Sequence, residues 1–228
     1  MEGINIVRHQ NVFNPGEFGE MRVDVIGCGA VGSPLIMILA KLGIKNIHVW
    51  DFDLIESHNI PNQLFYNEDI GKQKVDAIAE HVFRATGTQL TTHNEAVDGS
   101  QELGQVVFLV TDTMASRKEI WDKAIVNNYE VEVMFETRMG ARIGKIYTIN
   151  PNDLTHIKFW EGTLCSDEVA VPSECGGKTS VGPTANAIAA ITSWQFIDWF
   201  VYFKEQVEKN WPEKQIFINF SPFEVGGW

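Results

Sequence analysis

The sequence predicts an α/β fold built on a doubly wound, mainly parallel sheet, with antiparallel strands at its C-terminal end. Short apolar segments alternate along the chain with segments of helical periodicity, as in repeated βα units. The run at 106–110 is apolar throughout, which is typical of a strand buried on both faces of a sheet. A glycine-rich turn at 27–32 joins the first predicted strand to the first predicted helix.

Breaker residues mark some of the predicted boundaries, such as Gly43 after the first predicted helix. Apolar or alternating segments predict strands at 22–26, 47–50, 90–93, 106–110, 129–135, 142–149 and 215–220. Helical spacing of apolar residues predicts helices at 33–42, 72–86, 115–127 and 184–207. We expect irregular structure over 1–20 and 150–180, and a long polar connection over 52–70. No shift in composition divides the chain, so we expect a single domain over residues 1–228.

Composition narrows the class of protein. The net charge of -12 argues against a nucleic-acid-binding surface, which would need clustered lysine and arginine. No apolar run is long enough to span a membrane, and the first residues do not have the pattern of a signal peptide. The three cysteines lack a C-x-x-C pair, so neither a disulfide framework nor a four-cysteine zinc site is expected. We therefore expect a cytoplasmic protein that binds neither nucleic acid nor membrane.

The glycine turn has the G-x-G-x-x-G spacing of a Rossmann-like nucleotide site. Gly27 would allow the tight turn, Gly29 would let the backbone approach a phosphate, and Gly32 would let the helix pack closely. Asp51 ends the second predicted strand, where an acid holds ribose hydroxyls. Cys28 is interpreted as a small packing residue. These residues predict a nucleotide but do not distinguish a nicotinamide dinucleotide from ATP.

Four later segments follow one another in a fixed order. They read DFDLIESHNIPNQLF at 51–65, DIGKQK at 69–74, VTDTMASR at 110–117 and CGGKTSVGP at 175–183, the last leading into a helix that contains Gln195. Together with the glycine turn, they resemble the activating-enzyme superfamily of ubiquitin-like proteins, the ThiF, MoeB and E1 group, over roughly residues 5–200. Any one of these motifs alone is a modest signal, but four motifs in the order of the family make the resemblance specific.

The resemblance implies ATP-dependent adenylation of a C-terminal carboxylate, with release of pyrophosphate. The substrate would be a small ubiquitin-like or sulfur-carrier protein. Both reactants are anions, so the site must neutralise charge and align them. By resemblance, Lys74 contacts phosphate and Asp112 holds Mg²⁺. The cofactor-binding residues would be Gly27, Gly29, Gly32, Asp51, Asp53, Asn59, Gln63 and Lys74. Without the resemblance, Lys74 would be a solvated lysine at a helix start and Asp112 a helix N-cap.

One position departs from the family pattern. The family carries an arginine directly before Gln63, where this chain has Asn62, so a permanent cation is missing from the phosphate site. Arg8 is one candidate substitute, because family members carry an N-terminal arginine that reaches the ATP site, often across a dimer. Lys72 and Arg138 are the other candidates. The resemblance thus implies a homodimer in which Arg8 contributes to catalysis.

Cys175 is the candidate thiol, because related enzymes use a cysteine in this segment to accept the activated carboxyl. The neighbouring glycines at 176 and 177 would leave it accessible, and Lys178 would lower its pKa. Several family members stop at the adenylate and need no cysteine, so this role stays open.

Three alternatives also stay open. The same chemistry could act on a peptide C-terminus or on a tRNA base, and the negative net charge speaks against tRNA. The loss of the arginine at Asn62 is compatible with a non-catalytic partner subunit of a heterodimeric activating enzyme. A nicotinamide-dependent oxidoreductase would explain the glycine turn and Asp51, but it would leave Lys74 and Asp112 unexplained.

Overall fold

The computed structural model of the chain describes residues 4–167, 180–205 and 210–228. The helices are α1 Pro15–Phe18, α2 Gly32–Lys41, α3 Lys74–Thr86, α4 Met114–Ile120, α5 Leu154–Glu161 and α6 Gly182–Glu205. The strands are β1 Val23–Ile26, β2 Ile47–Trp50, β3 Thr91–His93, β4 Val106–Leu109, β5 Val133–Met139, β6 Ile143–Ile149, β7 Gln215–Phe220 and β8 Phe223–Gly227. A π-helical turn, Trp121–Ile125, continues α4.

The strands form one sheet in the order β3-β2-β1-β4-β5-β6-β7-β8. The first five strands in that order are parallel, and β6, β7 and β8 are added antiparallel. This confirms the predicted fold class. Because β1 has β2 on one side and β4 on the other, the chain reverses its direction of travel across the sheet at this point. In open α/β sheets, ligands bind in the crevice outside the carboxyl ends of the strands at such a reversal.

Both faces of the sheet are covered. The four residues of β4 are fully buried and alternate between two hydrophobic clusters. Val106 and Phe108 pack with α2, α3 and α6 on one face. Val107 and Leu109 pack with the π-helical turn and α5 on the other. This alternation explains why the run at 106–110 is apolar throughout, as expected of a strand buried on both faces.

Three expected segments differ from the structure. Helix α1 lies within 1–20, where irregular structure was expected. Irregular structure was also expected over 150–180, which contains helix α5. Asp153 caps it by accepting hydrogen bonds from the backbone N–H groups of Thr155 at 2.7 Å and His156 at 3.2 Å. Strand β5 begins at Val133 rather than at 129, because Asn127 has a φ of 56° and a turn closes between Asn128 and Val131.

The last strand, β8, was not predicted. It pairs with β7 from Phe220↔Phe223 to Ile216↔Gly227 and forms one edge of the sheet. Glycine, which is depleted in strands, occupies two of its five positions, so the sequence gives only a weak strand signal here. Cross-strand pairing, not local preference, holds this segment extended.

Candidate functional site

The glycine turn connects β1 to α2 at the carboxyl end of the sheet. Gly27 has a φ of 107°, and a Cβ there would lie 2.8 Å from the carbonyl oxygen of Val110. A Cβ on Gly32 would lie 1.9 Å from the carbonyl oxygen of Gly27. A Cβ on Gly29 would meet nothing within 4 Å. Local sterics therefore demand glycine at the first and last positions, whereas Gly29 faces open space beside the start of α2.

Asp51 joins the end of β2 to this turn. Its carboxylate accepts the backbone N–H of Cys28 at 2.7 Å and that of Asp53 at 2.9 Å. Burial raises the pKa of Asp51, and the nearby Lys74 ammonium opposes this rise. Cys28 is fully buried, and burial raises the pKa of its thiol well above the ordinary value. A buried thiol of this kind is inert, which agrees with the interpretation of Cys28 as a packing residue.

Lys74 is the first residue of α3, and its Nζ lies 2.6 Å from Oδ2 of Asp53. Its backbone N–H also donates to the carbonyl oxygen of Asp53 at 3.0 Å. The lysine is only 6% exposed, so the alternative of a solvated lysine at a helix start is wrong. The cation is held next to two carboxylates, those of Asp51 and Asp53, at the mouth of the glycine turn.

The connection from β2 to α3 contributes the amide side chains. Asn59 is buried, and its Oδ1 accepts the backbone N–H of Glu56 at 2.8 Å, so this oxygen already stabilises a local turn. In contrast, three amide oxygens of this connection are buried without a hydrogen-bond partner among the described residues: those of Asn62, Gln63 and Gln73. Buried acceptors are rarely left unpaired in folded proteins, so these oxygens mark places that need a donor.

Asp112 follows β4 in the loop that leads to α4, and it is exposed. It is not the helix N-cap: Thr113 occupies that position, and its side chain accepts the backbone N–H of Ser116 at 3.1 Å. Asp167, distant in sequence, accepts from the N–H groups of Met114 at 2.6 Å and Ala115 at 3.2 Å. The N-cap alternative for Asp112 is therefore wrong, and its carboxylate is not used to cap α4.

A buried ionic cluster, which the sequence analysis missed, anchors this loop. Arg117 on α4 donates to the carbonyl oxygen of Thr111 and, at 3.2 Å, to that of Thr137 on β5. Its Nε lies 2.9 Å from the Glu136 carboxylate, close enough for an ion pair although not aligned as a hydrogen bond. Glu136 also accepts from Arg138 at 3.0 Å and from the indole N–H of Trp160 at 3.1 Å. Arg117 lies in the VTDTMASR motif, but nothing in the sequence links it to Glu136.

The candidate substitutes for the missing arginine lie in different surroundings. Arg138 is 2% exposed and binds Glu136 and Thr163. It is therefore not available to a ligand, contrary to the expectation that it could replace the missing arginine. Lys72 is exposed, and its Nζ lies 3.1 Å from Oδ1 of Asp69 and 3.1 Å from Oε2 of Glu80.

Arg8 is exposed in the N-terminal segment, which packs at the far end of α2. In that segment, His9 contacts the carbonyl oxygen of Leu42 at 3.4 Å. Since α2 runs ten residues, about 15 Å, away from the glycine turn, Arg8 does not join the site of its own chain.

Cys175 lies outside the described residues, as do its neighbours at 176–178. Within the residues that are described, no group of three or more histidine, cysteine, aspartate or glutamate side chains is arranged to hold a metal ion. Among those residues, Asp112 thus does not belong to a cage of three or more such side chains. No helix in those same ranges has the length and apolar character needed to cross a bilayer.

Comparison of the sequence with known proteins identifies its family. The family described as the ThiF family matches residues 16–224. The NEDD8-activating enzyme E1 catalytic subunit of Arabidopsis thaliana is 30% identical over 131 residues, which is 50% of this chain and 29% of that protein. The adenylyltransferase and sulfurtransferase MOCS3 of Caenorhabditis briggsae is 28% identical over 111 residues, or 46% of this chain and 28% of that protein. The chain thus spans less than a third of the length of these curated relatives.

Solved structures give the same fold over more of the chain. E. coli MccB, solved with AMPCPP and MccA, superposes with a TM-score of 0.70 at 16% identity, covering 99% of this chain and 73% of that chain. MccB solved with ATP superposes with a TM-score of 0.71 at 17% identity, covering 94% of this chain and 65% of that chain. The likeness therefore includes the antiparallel strands β6–β8 as well as the parallel part of the sheet.

Proposed function

Because the chain belongs to the ThiF family, we propose that it is an ATP-dependent adenylyltransferase acting on the C-terminal carboxylate of a small ubiquitin-like or sulfur-carrier protein. A carboxylate oxygen of the substrate attacks the α-phosphorus of ATP, the bond to the β-phosphate breaks, and pyrophosphate leaves. The observation that carries the proposal is the buried Lys74, held beside the glycine turn within a match that spans residues 16–224. Relatives that share this match are named as activating enzymes and adenylyltransferases.

The residues at the site fit ATP. Gly29 leaves open space at the start of α2, where backbone N–H groups favour a phosphate. The buried, unpartnered oxygens of Asn62, Gln63 and Gln73 are acceptors, and the amino and hydroxyl groups of adenosine are donors. Asp51 keeps further acceptor capacity for ribose hydroxyls beyond the two N–H groups that it already binds.

Two side chains would offset the negative charge of the two reactants. Lys74 is held by Asp53 at 2.6 Å, so its ammonium is pre-positioned and needs little reorganisation to stabilise negative charge that develops on the transferring phosphate. Asp112 would hold Mg²⁺, which takes one or two carboxylates together with phosphate oxygens and water. The ion would supply further neutralisation of the two reacting anions. Arg117 would keep the loop of Asp112 in place through its bond to the Thr111 carbonyl.

The assembly and the later steps belong to the same proposal. A homodimer would let Arg8 of one protomer serve the site of its partner, since it lies remote from its own, and would supply the cation absent at Asn62. Cys175 would accept the acyl group: its thiolate attacks the acyl carbon, and AMP leaves. A peptide substrate is the second candidate, because MccB, whose fold matches 99% of this chain, was solved together with MccA.

Calorimetry and isotope exchange test the proposal. We expect MgATP to bind and NAD(H) not to bind, and a matching carrier protein or peptide to support exchange between pyrophosphate and ATP. Lys74→Ala should reduce exchange by about a hundredfold or more, because the charge of the transferring phosphate loses its buried cation. Lys45→Ala, an exposed lysine, is the matched control. Binding of NAD(H) without ATP would overturn the proposal, whereas ATP binding with no exchange on any carrier or peptide would favour a non-catalytic subunit.

A further inference from the structure

The hydroxyl group of Ser33 joins the glycine turn to the connection between β2 and α3. Ser33 is the second residue of α2 and has no exposed surface. Its Oγ donates a hydrogen bond to the carbonyl oxygen of Gly29 at 2.8 Å and accepts the backbone N–H of Leu64 at 2.9 Å. A serine hydroxyl has a single donor hydrogen, so its donor is fully used here. The glycine motif ends at Gly32 and assigns no role to this side chain.

On one side, the hydroxyl restrains the peptide between Gly29 and Ala30. The carbonyl oxygen of Gly29 accepts both the backbone N–H of Ser33, at 3.0 Å, and its Oγ, at 2.8 Å. In a planar trans peptide the N–H points away from the C=O, so the N–H of Ala30 points out of the N-terminal end of α2. This is the end at which the phosphate is proposed to lie. The second bond to Gly29 therefore helps to orient a donor toward that phosphate.

On the other side, the hydroxyl holds residues 59–65 of the connection, which we call the amide turn. The backbone of the amide turn folds back on itself through two hydrogen bonds to the carbonyl oxygen of Asn59, at 2.9 Å and 3.2 Å. In the ranges of the chain that the structure describes, the bond from Leu64 to Ser33 is the only hydrogen bond between the amide turn and a residue outside the connection. The position of the amide turn relative to α2 thus depends on this bond.

Apolar packing does not replace this contact. Leu64 and Phe65 pack against the core, but apolar contacts are non-directional. The bond to Ser33 is a directional contact, and it sets the unpartnered oxygens of Asn62 and Gln63 relative to the glycine turn.

We propose that Ser33 is a positioning residue for ATP, because its one buried hydroxyl keeps the glycine turn and the amide turn in a fixed arrangement. The inference rests on the proposed function, which assigns both turns to the nucleotide. In Ser33→Ala the carbonyl oxygen of Gly29 keeps the bond from the backbone N–H, but the N–H of Leu64 loses its acceptor. A part-buried donor without an acceptor is unfavourable, so the amide turn must move until water reaches it. ATP would then have to restore the arrangement as it binds, which lowers its affinity.

Calorimetry with MgATP and steady-state pyrophosphate exchange compare Ser33→Ala with a matched control, Ser193→Ala. Ser193 is also buried, and its Oγ donates to a carbonyl oxygen of its own helix, that of Ala190, at 2.7 Å. Among the described residues, its hydroxyl binds no second element. We expect Ser33→Ala to raise the Kd and the KM for ATP about five- to tenfold, with kcat within about threefold of wild type. Ser193→Ala should leave all three constants within about twofold.

Amide hydrogen exchange, followed by NMR, gives a second readout that needs no ATP. The N–H of Leu64 should exchange at least about tenfold faster in Ser33→Ala than in wild type. The N–H of Ile55 donates to the carbonyl oxygen of Lys72 at 2.9 Å within the same connection, and its exchange should stay within about twofold. Equal acceleration at both amides would indicate general destabilisation and would count against a positioning role.

Two further results would overturn the inference: equal ATP affinity in wild type and Ser33→Ala, or equal losses in the two serine variants. Failure of the wild-type protein to bind ATP would instead overturn the proposed function, so the two failures are distinguishable. If Ser33→Ala does not fold, Ser33→Cys takes its place with the same expectations, because a thiol is close to a hydroxyl in size but is a weak donor and acceptor.

Discussion

Glu136 is fully buried in β5 and lies between two buried guanidinium groups, those of Arg117 and Arg138. Burial lowers the pKa of Arg117, but the guanidinium remains charged because it starts from a very high value and has Glu136 beside it. One fully buried carboxylate therefore contacts two buried cations within the folded protein. A buried charge that loses its partner is strongly destabilising, because its desolvation is no longer offset.

Replacing this carboxylate by an amide tests these contacts. Glu136→Gln keeps the shape of the side chain but removes the buried carboxylate that both guanidinium groups contact, so we expect the free energy of unfolding to fall by about 3 to 5 kcal/mol. Urea denaturation at neutral pH measures the change. The matched substitution Glu68→Gln, at an exposed position, should stay within about 0.5 kcal/mol of wild type. Similar unfolding midpoints for the two variants would contradict the assigned role.

The same cluster shows where sequence reasoning stops at the residue scale. Arg117 belongs to the VTDTMASR motif, and Lys74 and Asp51 can be identified by position, because each follows a recognisable local pattern. Glu136 and Asp167 carry no such pattern: each reaches its partner only after the chain has folded, and Asp167 caps a helix that begins 53 residues earlier. A single sequence does not encode these long-range pairs in any visible periodicity.

At the scale of elements, two glycines near the start of α2 should respond differently to substitution by alanine. Gly32→Ala would place a Cβ 1.9 Å from the Gly27 carbonyl oxygen, so the turn or the helix must move, and we expect a clear loss of thermal stability. Gly29→Ala would meet nothing within 4 Å and should leave stability nearly unchanged. Its methyl group would instead occupy the space proposed for phosphate, so ATP affinity should fall. Thermal melts and calorimetry on both variants separate the effects, and tight ATP binding by Gly29→Ala would contradict the placement of phosphate.

The edge strand β3 and its neighbour β2 are joined by a histidine pair that should sense pH. Nδ1 of His48 lies 3.1 Å from Nε2 of His93. Burial lowers the pKa of both rings, the Arg22 cation lowers it further, and Asp24 and Glu95 oppose the shift. The folded state therefore prefers neutral rings.

The sign of the pH dependence follows from this preference. The unfolded chain binds more protons than the folded one as pH falls through the ordinary histidine pKa, so this contribution is full above about pH 6.5 and is lost below it. We expect stability to decline between about pH 7 and pH 5, and we expect His93→Gln to reduce that decline. Urea denaturation across this range compares the two proteins. An unchanged slope in the variant would show that the pair does not titrate with folding.

Sequence reasoning succeeded for the elements whose pattern is local. The ends of β2 and β7 agree with prediction, and the parallel strands with their covering helices follow directly from periodicity. Helix α5 was missed because it is short and begins at an Asp153 cap without a long apolar repeat. Strand β8 was missed because its extended form depends on pairing with β7. Tertiary contacts decide such segments, so propensity alone could not identify them.

At the scale of the whole molecule, the distance of Arg8 from its own glycine turn bears on assembly. If the active unit is a homodimer that shares Arg8 across its interface, Arg8→Ala and Lys74→Ala should each be inactive alone. A mixture that has exchanged subunits should regain about a quarter of wild-type exchange activity, since half of the dimers are hybrids and each hybrid has one intact site. Pyrophosphate exchange on the mixed proteins measures this. No recovery, in a mixture shown to exchange subunits, would place Arg8 outside the partner's site.

The burial of Cys28 under the glycine turn offers a direct view of how often that region opens. A thiol with no solvent exposure and a raised pKa is not alkylated in the closed protein, so an alkylating reagent can reach it only during a transient local or global opening. The alkylation rate at this one position therefore reports the opening equilibrium of the β1–α2 connection. A nucleotide bound over the turn would lower that rate in proportion to its occupancy, which gives a readout of ligand binding that does not depend on turnover.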